Sequence, residues 1–220
     1  TTICRFRAAA ARSGVLEGCF AEINRQLDAQ GLMLRKGTLL DASIVAATHK
    51  PPARKKGMGA INPKESGADW TNKGGKSYFG HKMHVGADQG SGLIRKVAFT
   101  PARLLDGQVA EALISGDEAA VYADRAYESA KRRAALKAAG IKDRIMHRRH
   151  RYMPVLPRWM ARRNDLISRR RAPVEAVFSA MKRIYGKART RCHSLALNAA
   201  DYLAFATVYN LTRSLKLLGA

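Results

Sequence analysis

Acidic residues are scarce in this chain. Seventeen Asp and Glu stand against forty Lys and Arg, for a net charge of +23. An excess of this size repels itself unless a polyanion is the partner, and nucleic acid is the first candidate. An acidic membrane surface fits less well, because no basic amphipathic helix with a Trp or Phe face stands out. Cysteine is scarce too. Cys4, Cys19 and Cys192 have no metal-ligand spacing, which excludes a cysteine-built zinc site. An odd, sparse count also argues against a disulfide framework and for a reducing compartment. No run of about 18 apolar residues exists to span a membrane. The nearest candidate, 203–218, is broken by Asn210, Arg213 and Lys216. Neither a signal peptide nor an internal repeat is visible. The chain opens on Thr-Thr and enters helical sequence at once, which reads as a fragment.

What is present is enough for one domain with a real core: 220 residues, 46% hydrophobic. Residues 1–30 read as two helices, Ile3–Ala11 and Val15–Gln30, the second with Leu16, Phe20, Ile23 and Leu27 at helical spacing and Gly31 as its stop. Residues 32–47 turn β-like, with apolar runs on either side of Lys36-Gly37. Asp41 lies inside the second run. A carboxylate in an apolar strand is costly to bury unless paired or metal-bound, and otherwise sits at a strand end facing solvent. Residues 48–76 are rich in Pro, Gly, Lys and Asn and read as a mobile loop.

Tyr78–Ala87 alternates as a strand, Gln89-Gly90-Ser91-Gly92 turns, and Leu93–Thr100 returns as a hairpin. His81 and His84 do not make a metal pair, since three-residue spacing in a strand points them to opposite faces. Tyr78, Lys82 and His84 share one face, which could contact phosphate. Residues 102–115 follow as a loop and helix, with Asp106 as a plausible N-cap. A short strand, Ala119–Ala123, ends in Asp124 within VYADRAYES. A helix over Ser129–Ala139 is stopped by Gly140, and Lys142–Met146 reads as another strand. The alternation implies a mixed α/β sheet, and an Asp at a strand's C-terminal end, before a helix, is where open α/β sheets build sites.

Residues 144–171 hold ten arginines (144, 148, 149, 151, 158, 162, 163, 169, 170 and 171) and one acid, Asp165. That imbalance is too large for salt-bridge lacing and favours contact with phosphates. The stretch RRRAPVEAVFSAMK then reads as the start of a helix, with Pro173 in its first turn. Val174, Val177, Phe178 and Met181 form one apolar stripe, with Glu175 beside it, Arg171 four residues back and Lys182 seven on. Taken alone, Glu175 reads as a solvated acid. A last helix covers Leu195–Leu218. Leu203, Ala206, Asn210, Ser214 and Leu217 share one side, and Phe205, Val208 and Leu215 thicken its apolar surface.

Three acids thus stand out by context: Asp41, Asp124 and Glu175, separated by 124 − 41 = 83 and 175 − 124 = 51 residues. The blocks LLDASIVAA, YFGHKMHVGAD, VYADRAY and RAPVEAVFSAMKRIYGKARTR, in that order, resemble the IS-five-type insertion-sequence transposases of bacteria. That is a DDE family with a ribonuclease-H-like core. Ser43 stands where the family usually has Thr, and Ser168 stands at the Tyr of its Tyr–Arg–Glu–Lys signature. The resemblance implies an α/β fold, a ribonuclease-H-like mixed sheet flanked by helices and preceded by a short helical segment. Residues 1–30 would be the tail of a truncated N-terminal DNA-binding and dimerisation region, and 31–220 the catalytic domain.

The resemblance further implies that Asp41, Asp124 and Glu175 hold two Mg²⁺ or Mn²⁺ ions for in-line attack on phosphodiesters, first by water and then by a 3′-hydroxyl. Arg171 and Lys182 would hold the DNA backbone. Arg148, Arg149, Arg151, Arg162, Arg163, Arg169 and Arg170 would carry flanking DNA, joined by Lys82 and His84. Double-stranded DNA, both transposon ends and target, is the implied partner, with a homodimer on DNA, no membrane, and a place in the bacterial cytoplasm at the nucleoid. Two alternatives stay open: a DNA-binding repressor without catalysis, and a metal-dependent nuclease that cuts without joining.

Overall fold

The computed structural model describes residues 1–49 and 65–219. Within them six strands form one mixed sheet. Strand β3 (Lys76–Asp88) runs antiparallel to β1 (Thr38–Ala46) and to β4 (Ile94–Pro101), and β2 (Asp69–Lys73) pairs antiparallel with the first residues of β3. Strands β5 (Ala120–Ala123) and β6 (Lys142–Ile145) join in parallel, β5 on β1 and β6 on β5. Across the sheet the order is β4-β3-β1-β5-β6. Three antiparallel strands followed by two parallel ones in this order make the ribonuclease-H-like α/β fold expected from the sequence.

Alternation along β1 decides the layers. Leu40 faces Val109, Ala110 and Leu113 of α3 (Asp106–Leu113) and Leu136 of α4 (Ala130–Ala138). Leu39 faces the opposite layer. There it joins Phe20, Ile167, Val174, Val177, Phe178, Met181, Tyr202 and Phe205. These come from α2 (Val15–Ala29), α5 (Arg158–Arg171), α6 (Val174–Ser179), a π-turn over Ala180–Ile184, and α7 (Leu195–Leu218). Local signals set the ends. Ser129 and Ser194 accept backbone N–H bonds as N-caps of α4 and α7. Gly80 is required by close approach: a Cβ there would meet the Val45 carbonyl oxygen at 2.1 Å.

Residues 1–30 form α1 (Thr2–Ser13) and α2, divided at Gly14, whose φ is 71°. They pack onto the rest rather than standing apart. Phe20 enters the main core, Asn210 donates to the Asn24 side chain at 2.7 Å, and Arg7 pairs with Asp201 at 2.6 Å.

Several expectations are corrected. The β-like reading of 32–47 holds only from Thr38. Before it the chain turns, with Arg35 at φ 52°, because the buried Asp88 carboxylate accepts the N–H groups of Leu34 and Arg35. Of the expected loop 48–76, residues 50–64 lie outside the described residues, while 69–73 and 76 are strand. Glu65, fully enclosed, accepts the N–H groups of Thr48 and His49 at 3.2 and 2.8 Å. Asp106 is the first residue of α3, not its cap. Arg169–Arg171 end α5 rather than start a helix, and the break falls at Ala172-Pro173. On α7, Val208 and Leu215 are exposed, so its buried side is narrower than expected and includes Asn210 and Ser214.

Leu40 is fully enclosed between β1 and α3. Leu40→Ala is expected to destabilise the fold by roughly 2–5 kcal/mol. Urea denaturation should show this as a lower midpoint with an unchanged slope.

Candidate active site

Parallel pairing of β1 with β5 places two of the three acids together. Leu39 lies opposite Tyr122, so Asp41 and Asp124 each stand two residues further along neighbouring strands. There β5 ends and β1 continues to Ala46. The parting strands open a recess of about 180 Å³, lined by Asp41, Ala42, Asp106, Asp124, Lys82 and the β2 residues Thr71–Lys73, with Ile44 behind.

Each aspartate is partly committed. Asp41 accepts the N–H of Ala42 at 2.9 Å, and its Oδ2 lies 2.8 Å from Arg171 Nη1. Asp124 caps the single 3₁₀ turn Arg125–Tyr127, accepting the Ala126 N–H at 2.8 Å. Burial raises the Asp41 pKa above the ordinary carboxylate range. The Arg171 charge and the Ala42 N–H pull it back, while Asp124 pushes it further up. Arg171 offsets the acidic pair imperfectly, since its buried Nε and Nη1 make no well-aligned hydrogen bond. Tyr127 reports the same crowding. Its enclosed hydroxyl has no hydrogen-bond partner, and its pKa is raised by burial and by Asp106, Asp41 and Asp124.

The third acid stands elsewhere. Glu175 is exposed on α6, one turn past Arg171 and beyond the Ala172-Pro173 break. Among the described residues, no three His, Cys, Asp or Glu side chains gather closely enough to hold a metal ion. The donor chemistry of Asp41 and Asp124 does fit a hard divalent cation: two neighbouring carboxylates, one desolvated, with only a guanidinium between them and their mutual repulsion. Glu175 is not part of that group in this arrangement.

The expected DNA contacts divide. Arg148, Arg149, Arg151, Arg162, Arg169 and Arg170 are exposed. Arg163 is committed inward, donating to the carbonyls of Ile145 at 2.7 Å and Asp143 at 2.8 Å. His84 has no exposed surface for a phosphate; its Nε2 lies 2.9 Å from Thr100 Oγ1, and burial lowers its pKa to about 4. The burial of His84 follows from β3 being covered on both faces beyond Phe79, while Tyr78, before that point, stays exposed. His81 turns the other way and stacks on Phe99, as the spacing implied. Lys182 lies in the π-turn, on an exposed side chain whose ammonium is pulled below its ordinary pKa by partial desolvation and by Lys73. Among residues the sequence did not single out, Asp106, Lys73 and Asn72 line the recess and Tyr127 lies beside it. Asp106 had a visible signal, an acid at a helix start, but its neighbours in the recess come from β1, β2, β3 and the end of β5.

The sheet is ribonuclease-H-like, with Asp41 inside β1 and Asp124 just past β5 facing one recess. A family model described as transposase DDE domain matches residues 33–211, and the chain belongs to that family. No solved structure matches the chain. Among the described residues no helix is long and apolar enough to cross a membrane.

The raised Asp41 value has a definite consequence. A carboxyl whose pKa is higher folded than unfolded contributes stability that is fully present at pH below its unfolded value and lost as pH rises through the folded one. Above its folded pKa the ionised Asp41 is therefore a cost. Carboxyl NMR titration should place Asp41 above the ordinary range, higher again in Arg171→Met and lower in Asp124→Asn.

Proposed function

We propose that the chain is a DNA transposase of the IS-five type that cuts at insertion-sequence ends and joins them to a target. The observation that carries this reading is the alignment of Asp41 with Asp124 at the end of the parallel strand pair. Asp41, Asp124 and Glu175 form the ligand set for two Mg²⁺ or Mn²⁺ ions. Bound there, the ions supply charge relief at the attacking and leaving oxygens. Glu175 completes the set once Arg171 leaves Asp41. Arg171 is then free to hold the DNA backbone with Lys182.

The exposed arginines 148, 149, 151, 162, 169 and 170 run DNA past the site by neutralising phosphates. Their substrate is double-stranded DNA, and a homodimer holds two ends at once. Residues 1–30 belong to the end-binding and pairing apparatus, and 31–220 form the catalytic domain.

A second reading is a relative that binds DNA and represses without catalysis. It is favoured by one observation, that Glu175 is not gathered with the aspartates. Incubation of a supercoiled plasmid carrying the element's ends with the protein and Mg²⁺ separates the readings. Nicked and joined products are expected, lost in Asp124→Asn and Glu175→Gln while DNA binding survives. Equal behaviour of wild type and both variants rejects the catalytic assignment. Nicking without joined products favours a nuclease.

Binding should also weaken steeply with salt, by a slope of about −0.9 per phosphate contact on a log–log plot. Replacing Arg148, Arg149 and Arg151 together by Gln should flatten that slope. An unchanged slope in the triple variant removes this segment from the interface.

A further inference from the structure

Lys82 occupies an unusual place for a lysine. It lies on β3 opposite Ile44 of β1, and its side chain is only 11% exposed. Its Nζ donates to the Leu104 carbonyl at 2.8 Å and to Asp106 Oδ1 at 2.9 Å. An ammonium carries three N–H donors. Two are spent on these partners, and the head lines the same recess as Asp41 and Asp124. A lysine needed only to neutralise Asp106 could do so from solvent at less cost. Here the cation is held on the wall of the acidic recess, with one donor left over.

The chemistry of the recess explains the use of such a group. A phosphodiester entering it brings its own negative charge towards two aspartates. As the attacking oxygen adds, charge builds on the non-bridging oxygens. A donor already fixed at that point, in a partly dry site, is worth more than one recruited from water. We propose that Lys82 donates its third N–H to a non-bridging oxygen of the phosphodiester being cut or joined, and that Asp106 and the Leu104 carbonyl position it. Lys82 is then a catalytic residue, and Asp106 a positioning residue acting through it. This rests on the transposase reading and assigns Lys82 a role at the reacting phosphate, distinct from the general DNA contacts of the surface arginines.

The test uses the full chain, a supercoiled plasmid carrying the element's ends, and Mg²⁺, with single-turnover nicking at saturating protein. Lys82→Met is expected to slow the chemical step by roughly 100-fold, with plasmid affinity changed no more than about threefold. Asp106→Asn should slow it by roughly 10-fold. The double variant should be no slower than Lys82→Met alone, because both changes remove one function. Lys82→Arg should recover part of the rate. Melting temperatures separate loss of fold from loss of rate. Should Lys82→Met not fold, Asp106→Asn decides by the same readout, since it keeps the lysine.

A wild-type rate in folded Lys82→Met or Asp106→Asn, with Asp124→Asn inactive, overturns the role of Lys82 and leaves the transposase reading standing. So does a double variant whose losses multiply. A wild-type protein that leaves the plasmid intact overturns the transposase reading and this role with it.

Discussion

Two carboxylates held side by side at the end of a buried parallel strand pair form the constraint on which the rest depends. The pairing of Leu39 with Tyr122 brings Asp41 and Asp124, each two residues further on, to the same recess. Burial raises the proton affinity of Asp41, and the Asp124 charge adds to it. The surroundings supply positive charge in answer. Arg171 reaches Asp41 from α5, and Lys82 stands on the far wall with Asp106. The site is an electrostatic problem set by strand register and only partly solved by the protein's own cations.

The helical layer carries both Arg171 and Glu175. α5 and α6 would be one helix but for Ala172-Pro173, because proline removes a backbone donor and crowds the preceding turn. The break puts Arg171 and Glu175 on separate rigid pieces, both anchored to the sheet: Ile167 holds the first, and Val174 and Val177 hold the second. A π-turn follows at once, its 180–185 hydrogen bond spanning five residues. Such turns reset the phase of a helix, and they are frequent at functional sites. Lys182 therefore does not lie where an unbroken helix would carry it from Glu175.

Much of this was legible in the sequence because it follows from period and punctuation. The hairpin at Gln89–Gly92, the short strand ending at Asp124, and the helices ended by Gly31 and Gly140 carry local signals that tertiary packing did not override. What escaped was set by neighbours. Leu32–Gly37 has strand composition, but the buried Asp88 carboxylate claims its amides for a turn. His84 reads as a surface residue until both faces of β3 are known to be covered. Asp106 looks like any acid at a helix start, since its meeting with Lys82 depends on how α3 lies across β3. Glu175 could be picked from its sequence context. Its distance from the aspartates could not, because that depends on a break that Pro173 marks but does not aim.

The ion pair between Arg171 and Asp41 makes the site a seat already occupied. On the proposed reading a divalent cation at Asp41 would bind only molecules whose guanidinium has let go, so its apparent affinity would be its intrinsic affinity scaled by that fraction. A DNA phosphate that draws Arg171 away enlarges the fraction, and by reciprocity the cation then tightens the grip on DNA by the same factor. On the proposed reading the site would be an AND gate for its two charged ligands, with Arg171 holding it closed in the protein without DNA.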